Sequence, residues 1–406
     1  MKKTNHLPYR TVLLVASSIA LSSCVAQKPR PTELISNSTM TIPKIDTPRV
    51  ATPTGTFPPA FSHTLSATPT PSTYYDLIYS TGNTLYRMTV DQYGVSYPPE
   101  EVFSTDGLLG PFDISPDGDQ IVYEINGGPG EHYGIVNIFT FSTQKEHSLL
   151  LSDNFVYMPL WSPNGEFIAY VYYGPESSIR IDPTEDCREK CYVRYFRLGP
   201  NEDYGMLEDP VWLGNHHIGY FIGRGEERNF CIGDLDNLTH TCPIRNQAIG
   251  DIVISDDFQL ILATIYKDDY SYSDLFMFEL NNYLDTGMSN LFRITFSNSR
   301  LHSPIWSSDG KHFFYVDDTN DMRKIYFAEF TPSGTAGNEI LLLESEDLGY
   351  GITLSKDEKM MAWNLEKKTD EGPISFLCVY PVDTAHPSDQ VNCLRDIFSL
   401  PPQWMP

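Results

Sequence analysis

The residues of this 406-residue chain that could do chemistry are seven cysteines, ten histidines and several acidic loops. Six cysteines fall in close pairs: Cys187 with Cys191, Cys231 with Cys242, and Cys378 with Cys393. An even set of this kind in an exported chain suits disulfides, although spacing alone leaves the connectivity open. Cys231 stands in Asn-Phe-Cys-Ile and Cys378 in Phe-Leu-Cys-Val, each followed by a second cysteine one hairpin later. Local cross-strand bridges in two equivalent repeats are therefore expected, and Cys187-Arg-Glu-Lys-Cys191 would close a small loop. Read as half a zinc site, that last pair lacks a second Cys or His pair of suitable spacing. His216 and His217 are adjacent on a hairpin, so they point in different directions and read as loop residues rather than a ligand pair. Asp317-Asp-Thr-Asn-Asp321 lacks the Gly and the closing Glu of an EF-hand loop. Lys267 to Asp274 is a second acidic loop. There is no G-x-S-x-G elbow to expose a nucleophilic serine. No catalytic, cofactor-binding or metal-binding residue is assigned, no cofactor is expected, and binding is favoured over catalysis.

The first 23 residues read as an export signal. Lys2, Lys3 and Arg10 precede a short apolar run from Thr11 to Leu21. About eleven helical residues rise only about 16 Å, too little for a bilayer core of about 30 Å. A cleaved signal is thus favoured over a transmembrane anchor. The run ends in Leu21-Ser-Ser-Cys24, which resembles a bacterial lipobox, and the resemblance implies acylation of Cys24 at the mature N-terminus. The expected address is the cell envelope, tethered to a membrane by lipid and facing away from the cytoplasm. Residues 24–73 then form a Pro/Thr/Ser-rich segment that carries too few large apolar side chains to offset its ordering entropy, and it reads as an extended tether.

Removing the signal takes away three positive charges and no negative ones, which moves the formal charge from -25 to -28. Binding to a phosphate backbone needs clustered Lys and Arg, so nucleic acid is excluded as a partner class. Polyanionic sugars are disfavoured for the same reason.

What must position any site is a repeat. Met158-Pro-Leu-Trp-Ser-Pro-Asn-Gly-Glu-Phe-Ile-Ala-Tyr-Val171 reads as strand, tight turn and strand, and it returns as Pro304-Ile-Trp-Ser-Ser-Asp-Gly310 and Phe112-Asp-Ile-Ser-Pro-Asp-Gly118. The strand position before the turn is filled by Ile114, Trp161, Trp212, Ile254, Trp306, Leu354 and Trp404, at intervals of about 42–52 residues. Asn and Asp followed by Gly tolerate the positive φ of a two-residue hairpin. Two further strands follow each hairpin, and four strands per repeat make one propeller blade. Three strands between Asp76 and Ser104 precede any anchor, and Pro402-Gln-Trp404 is an anchor that no strand follows. Joined, they complete one blade and close the ring. The reading is an all-β propeller over residues 74–406 with seven blades, six being the alternative. No long stretch has a helical period. The anchor tryptophans are expected in the core between blades rather than as ligand platforms.

The pattern P-x-W-S-P-D-G resembles the WD40-like repeat of the TolB family of exported propellers. It is also similar to the propeller domain of prolyl dipeptidyl peptidases, without room for their hydrolase domain. A sialidase-type Asp box does not fit, since Ser307-Ser-Asp-Gly places its Gly one position early. The resemblance implies a binding module for an envelope protein or peptide. The alternative is a glycan-binding or glycan-degrading propeller with Tyr and Trp as stacking platforms. The stretch from Arg180 to Tyr204 is the first candidate contact surface.

Overall fold

A computed structural model describes residues 73–406 except 127–133, 175–176, 185–193, 198–206, 224–227, 246, 268–271, 288–290, 320–321, 332–334, 347, 370–371, 388–390, 396 and 398–399. Cys24, the export signal, the tether, and Cys187 and Cys191 lie outside the described residues. The strands form seven four-stranded antiparallel sheets. Numbered along the chain, blade 1 combines Tyr74–Thr81, Thr84–Asp91 and Glu100–Ser104 with the C-terminal strand Gln403–Trp404. The remaining six blades follow in chain order, each a simple meander. This is the seven-bladed ring, and it excludes the six-bladed alternative.

The innermost strands are Leu108–Ile114, Phe155–Trp161, Leu207–Trp212, Ile249–Ile254, Arg300–Trp306 and Tyr350–Leu354, together with Gln403–Trp404. They occupy one edge of each sheet and approach one another around the axis. Every anchor ends its strand and packs on the preceding blade. Trp161 is buried with Val122, Val136 and Ile138 of blade 2. Trp306 is buried with Leu262, Leu275 and Met277 of blade 5, and Trp404 with Met360, Ala362 and Leu377 of blade 7. Trp212 packs on blade 3 and donates its indole N–H to Leu160 O at 3.3 Å. Ile114, Ile254 and Leu354 lie against the apolar clusters of blades 1, 4 and 6. The core is therefore a ring of inter-blade layers.

A buried serine sets each hairpin after the anchor. Ser162 Oγ donates to Asn164 Oδ1 at 2.8 Å and accepts the Phe167 N–H at 2.9 Å. Ser115, Ser255 and Ser355 repeat this with Asp117, Asp257 and Asp357. Gly118, Gly165 and Gly310 take the left-handed backbone that the turn requires. Phe258 and Glu358 adopt it at the same position without glycine, at a cost of about 1 kcal/mol each. In blade 4 the serine is replaced by buried Leu213, which is why that copy of the motif is hard to read. In blade 6, Ser307 Oγ donates instead to Glu358 Oε2 of blade 7 at 2.8 Å.

Disulfides join Cys231 to Cys242 and Cys378 to Cys393, linking the third and fourth strands of blades 4 and 7. The described residues also contain a helix, Leu280–Thr286, between the third and fourth strands of blade 5, where the sequence carried no helical period.

Candidate functional site

All innermost strands run the same way, so their first residues gather at one end of the axis and their anchors at the other. Near the first end each complete blade carries a β-bulge on this strand, at Gly110-Pro111, Met158-Pro159, Asp209-Pro210, Gly250-Asp251, Ser303-Pro304 and Gly351-Ile352. Proline lacks an N–H and suits a position that drops out of the ladder, so the Pro of P-x-W marks the bulge. Met158, Asp209 and Ser303 hold positive φ there. A bulge breaks the ladder and turns the strand at these positions, close to the strand starts that rim the axial mouth.

The mouth has two chemically different arcs. Blades 4 to 6 supply charge. Arg228 Nη2 contacts Asp209 Oδ2 at 2.5 Å, while its Nη1 donates to Ile249 O at 3.0 Å and its guanidinium lies 3.7 Å from the Phe221 ring centre. Asp251 Oδ2 accepts the Ser303 N–H of the next blade at 2.7 Å. Arg323 pairs with Asp318 at 3.4 Å, beside Arg300. His302 stands among them with Nδ1 3.0 Å from Ser303 Oγ. Burial holds its imidazole below the ordinary range; the Asp251 and Asp318 carboxylates oppose that, and Arg300 and Arg323 add to it. His302 is thus held toward its neutral form, beside the Arg323–Asp318 pair. Blades 7, 2 and 3 supply apolar surface: Tyr350, Leu108, Phe155 and Tyr157 are all exposed at the starts of their strands.

Behind the apolar arc the inner strands of blades 1, 2 and 3 are stitched to one another. Asp113 Oδ2 accepts the Trp161 N–H at 2.8 Å, and Gln403 bonds both Phe112 O and Ile114 N–H. Asp113 keeps a little surface but is surrounded by protein. Burial pushes its carboxyl up to about 7 despite the donors from Trp161, Ile114 and Gln403.

The histidines singled out in the sequence do not reach this mouth. His216 lies in the blade 4 turn, 3.1 Å from Asp236, and His217 opens the second strand directly opposite Asp234. At the opposite, turn-bearing end of the blades, His217 lines a cleft of about 490 Å³ with His240, Arg245 and Tyr283. No group of three His, Cys, Asp or Glu side chains among the described residues is placed to hold a metal ion. Arg180 belongs to the strand Ser178–Pro183, with its guanidinium 3.4 Å from the Tyr172 ring centre, so that part of the expected contact surface is sheet rather than insertion. Most of the stretch beyond it, like Asp321 and the middle of the Lys267–Asp274 loop, lies outside the described residues. Asp274 itself is fully buried, with Lys267 and Arg293 each at 2.5 Å.

The architecture is that of a seven-bladed β-propeller. TolB from Acinetobacter baumannii aligns at 13% identity and a TM-score of 0.47, over 82% of this chain and 66% of its own length. The periplasmic gluconolactonase PpgL of Pseudomonas aeruginosa aligns at 12% identity and a TM-score of 0.56, over 82% of this chain and 99% of that one. An oligogalacturonate lyase in complex with manganese aligns at 14% identity and a TM-score of 0.52, over 76% and 83%. At such identities the likeness concerns the fold alone. No family model and no curated protein sequence matches the chain. The two disulfides mark an extracytoplasmic protein.

The mouth residues were missed in the sequence because they come from six blades spread over most of the chain. One signal was available: reading the residues at a fixed offset before each anchor collects Met158, Asp209, Asp251 and Ser303 together.

Proposed function

We propose that this chain is an extracytoplasmic binding module, lipid-anchored through Cys24, whose axial mouth receives a segment of another envelope protein. The observation that carries this reading is the divided mouth. Exposed Tyr350, Leu108, Phe155 and Tyr157 on one arc and the Arg and Asp side chains of blades 4 to 6 on the other match an amphipathic peptide, with apolar side chains on one side and charges of either sign on the other. Aromatic anchors ringed by polar groups concentrate binding energy at interfaces. The rigid blades hold both arcs in place, so little ordering free energy is lost on binding.

The test is site-specific photo-crosslinking in cells. A photoreactive residue replaces Tyr157 or Tyr350 in one pair of strains, and exposed Leu151 on an outer strand in the control. The expected result is one discrete protein adduct from both mouth positions and none from Leu151. The adduct is lost in a Cys24→Ser chain, and the purified partner binds Tyr157→Ala about tenfold more weakly. Absence of an adduct from both mouth positions refutes the reading.

A further inference from the structure

A second site lies on blade 1, at the turn-bearing end and so away from the axial mouth. Side chains alternate across a strand, and Asp76 shares a face with Ile78, which is buried against blade 2. Toward the end of the blade that face opens into a cleft of about 620 Å³ lined by Tyr74, Asp76, Arg87, Thr89, Tyr97, Pro98 and Glu100. This volume falls within the roughly 300–1,000 Å³ of small-molecule sites. Tyr74 and Tyr97 are 55% and 45% exposed, with ring centres 5.9 Å apart and planes at 67°. The neighbouring Tyr74 hydroxyl pushes the Tyr97 phenol up.

The polar wall is partly committed. Arg87 pairs with Asp76, whose other oxygen accepts Thr89 Oγ1 at 2.8 Å. That leaves Arg87 N–H groups pointing away from Asp76. Glu100, directly opposite Arg87 in the sheet, accepts no hydrogen bond from a described residue. A planar donor and a planar acceptor thus stand beside two exposed aromatic faces.

We infer that this cleft binds a short neutral oligosaccharide. A sugar ring presents an apolar C–H face that stacks on a tyrosine, and adjacent hydroxyls that donate to a carboxylate while accepting from a guanidinium. Two carboxylates against one guanidinium leave the wall with a net negative charge, which disfavours uronates and phosphates.

The probes are maltotriose, cellotriose and tri-N-acetylchitotriose, offered separately to the detergent-solubilised full-length chain. Binding is read by saturation-transfer NMR and calorimetry. At least one trisaccharide is expected to bind. Tyr97→Ala, at an exposed position that leaves thermal stability unchanged, weakens it about tenfold. Glu100→Gln keeps the shape and also weakens binding, while Tyr272→Ala, an exposed tyrosine on blade 5, has no effect. Failure of all three sugars to bind overturns the inference. So does binding that survives both Tyr97→Ala and Glu100→Gln, which would place the sugar elsewhere on the protein. Neither result bears on the photo-crosslinks from Tyr157 and Tyr350.

Discussion

The carboxylate of Asp113 accepts the backbone N–H of Trp161 at 2.8 Å across the seam between blades 2 and 3. The contact joins an acid to the strand that carries the best preserved anchor. Because burial raises this carboxyl to about 7 in the folded protein, against the model-peptide value of 3.8, the unfolded chain ionises first. The stability tied to Asp113 is therefore complete below about pH 4 and lost as pH rises through about 7. Asp113→Asn keeps the acceptor and removes the charge. The variant is expected to be more stable than the parent at pH 8, by on the order of 2–4 kcal/mol, and nearly equal to it at pH 4. Thermal denaturation at the two pH values decides, and a parent–variant difference that does not change with pH contradicts the assignment.

Ring closure rests on a strand of two residues, Gln403–Trp404, paired with Leu77 and Ile78. Trp404→Ala should cost about 3–5 kcal/mol, the range for emptying a large buried aromatic site. Deleting residues 403–406 should cost more, because it also bares the edge of Tyr74–Thr81 and removes the Gln403 bonds to blade 2. Urea denaturation of the two variants ranks them.

The Cys378–Cys393 bridge closes a loop with a sequence separation of 15. Chain-entropy reasoning gives such a crosslink about 3 kcal/mol. The paired change of Cys378 and Cys393 to Ser should lower unfolding stability by about 2–4 kcal/mol. Adding reductant to the parent should reproduce that loss and extend it, through opening of Cys231–Cys242. Denaturation with and without dithiothreitol measures both effects.

Ser162 is fully buried and holds its turn by one donated and one accepted hydrogen bond. Ser162→Ala leaves Asn164 Oδ1 and the Phe167 N–H short of a partner, for a cost of about 1–3 kcal/mol. Ser308 lies in a corresponding hairpin but is exposed, and its Oγ donates only to Glu358 Oε1 of blade 7, so Ser308→Ala should cost about 0.5–1 kcal/mol. Comparing the midpoints of the two variants tests whether the turn serine or the hairpin in general carries the stability.

The repeat was legible because turn chemistry and anchor burial are local: Ser, Asp or Asn, Gly and the residue before them lie within a few positions of one another. Blade 4 shows where that reading weakens, since Leu213 fills the serine position and His217 starts a strand instead of extending the turn. The helix Leu280–Thr286 was hidden by its length, which is too short to display a period. The axial mouth was opaque for another reason. His302, Asp251 and Arg228 share one end of the ring only because three blades converge, and no spacing within a single blade encodes that convergence. The anchors themselves carried no ligand chemistry to read, as Trp161, Trp306 and Trp404 spend their surface on the neighbouring blade.

The same two-residue pairing makes Gln403–Trp404 a latch on the ring. This strand and the edge of Tyr74–Thr81 that it covers lie at opposite ends of the described residues. Until they pair, the blades are an open strip with an unmated edge. A chain cut near Pro402 keeps that edge, and an exposed strand edge is a template for pairing with other chains, so loss of one short contact turns a closed ring into a surface prone to association.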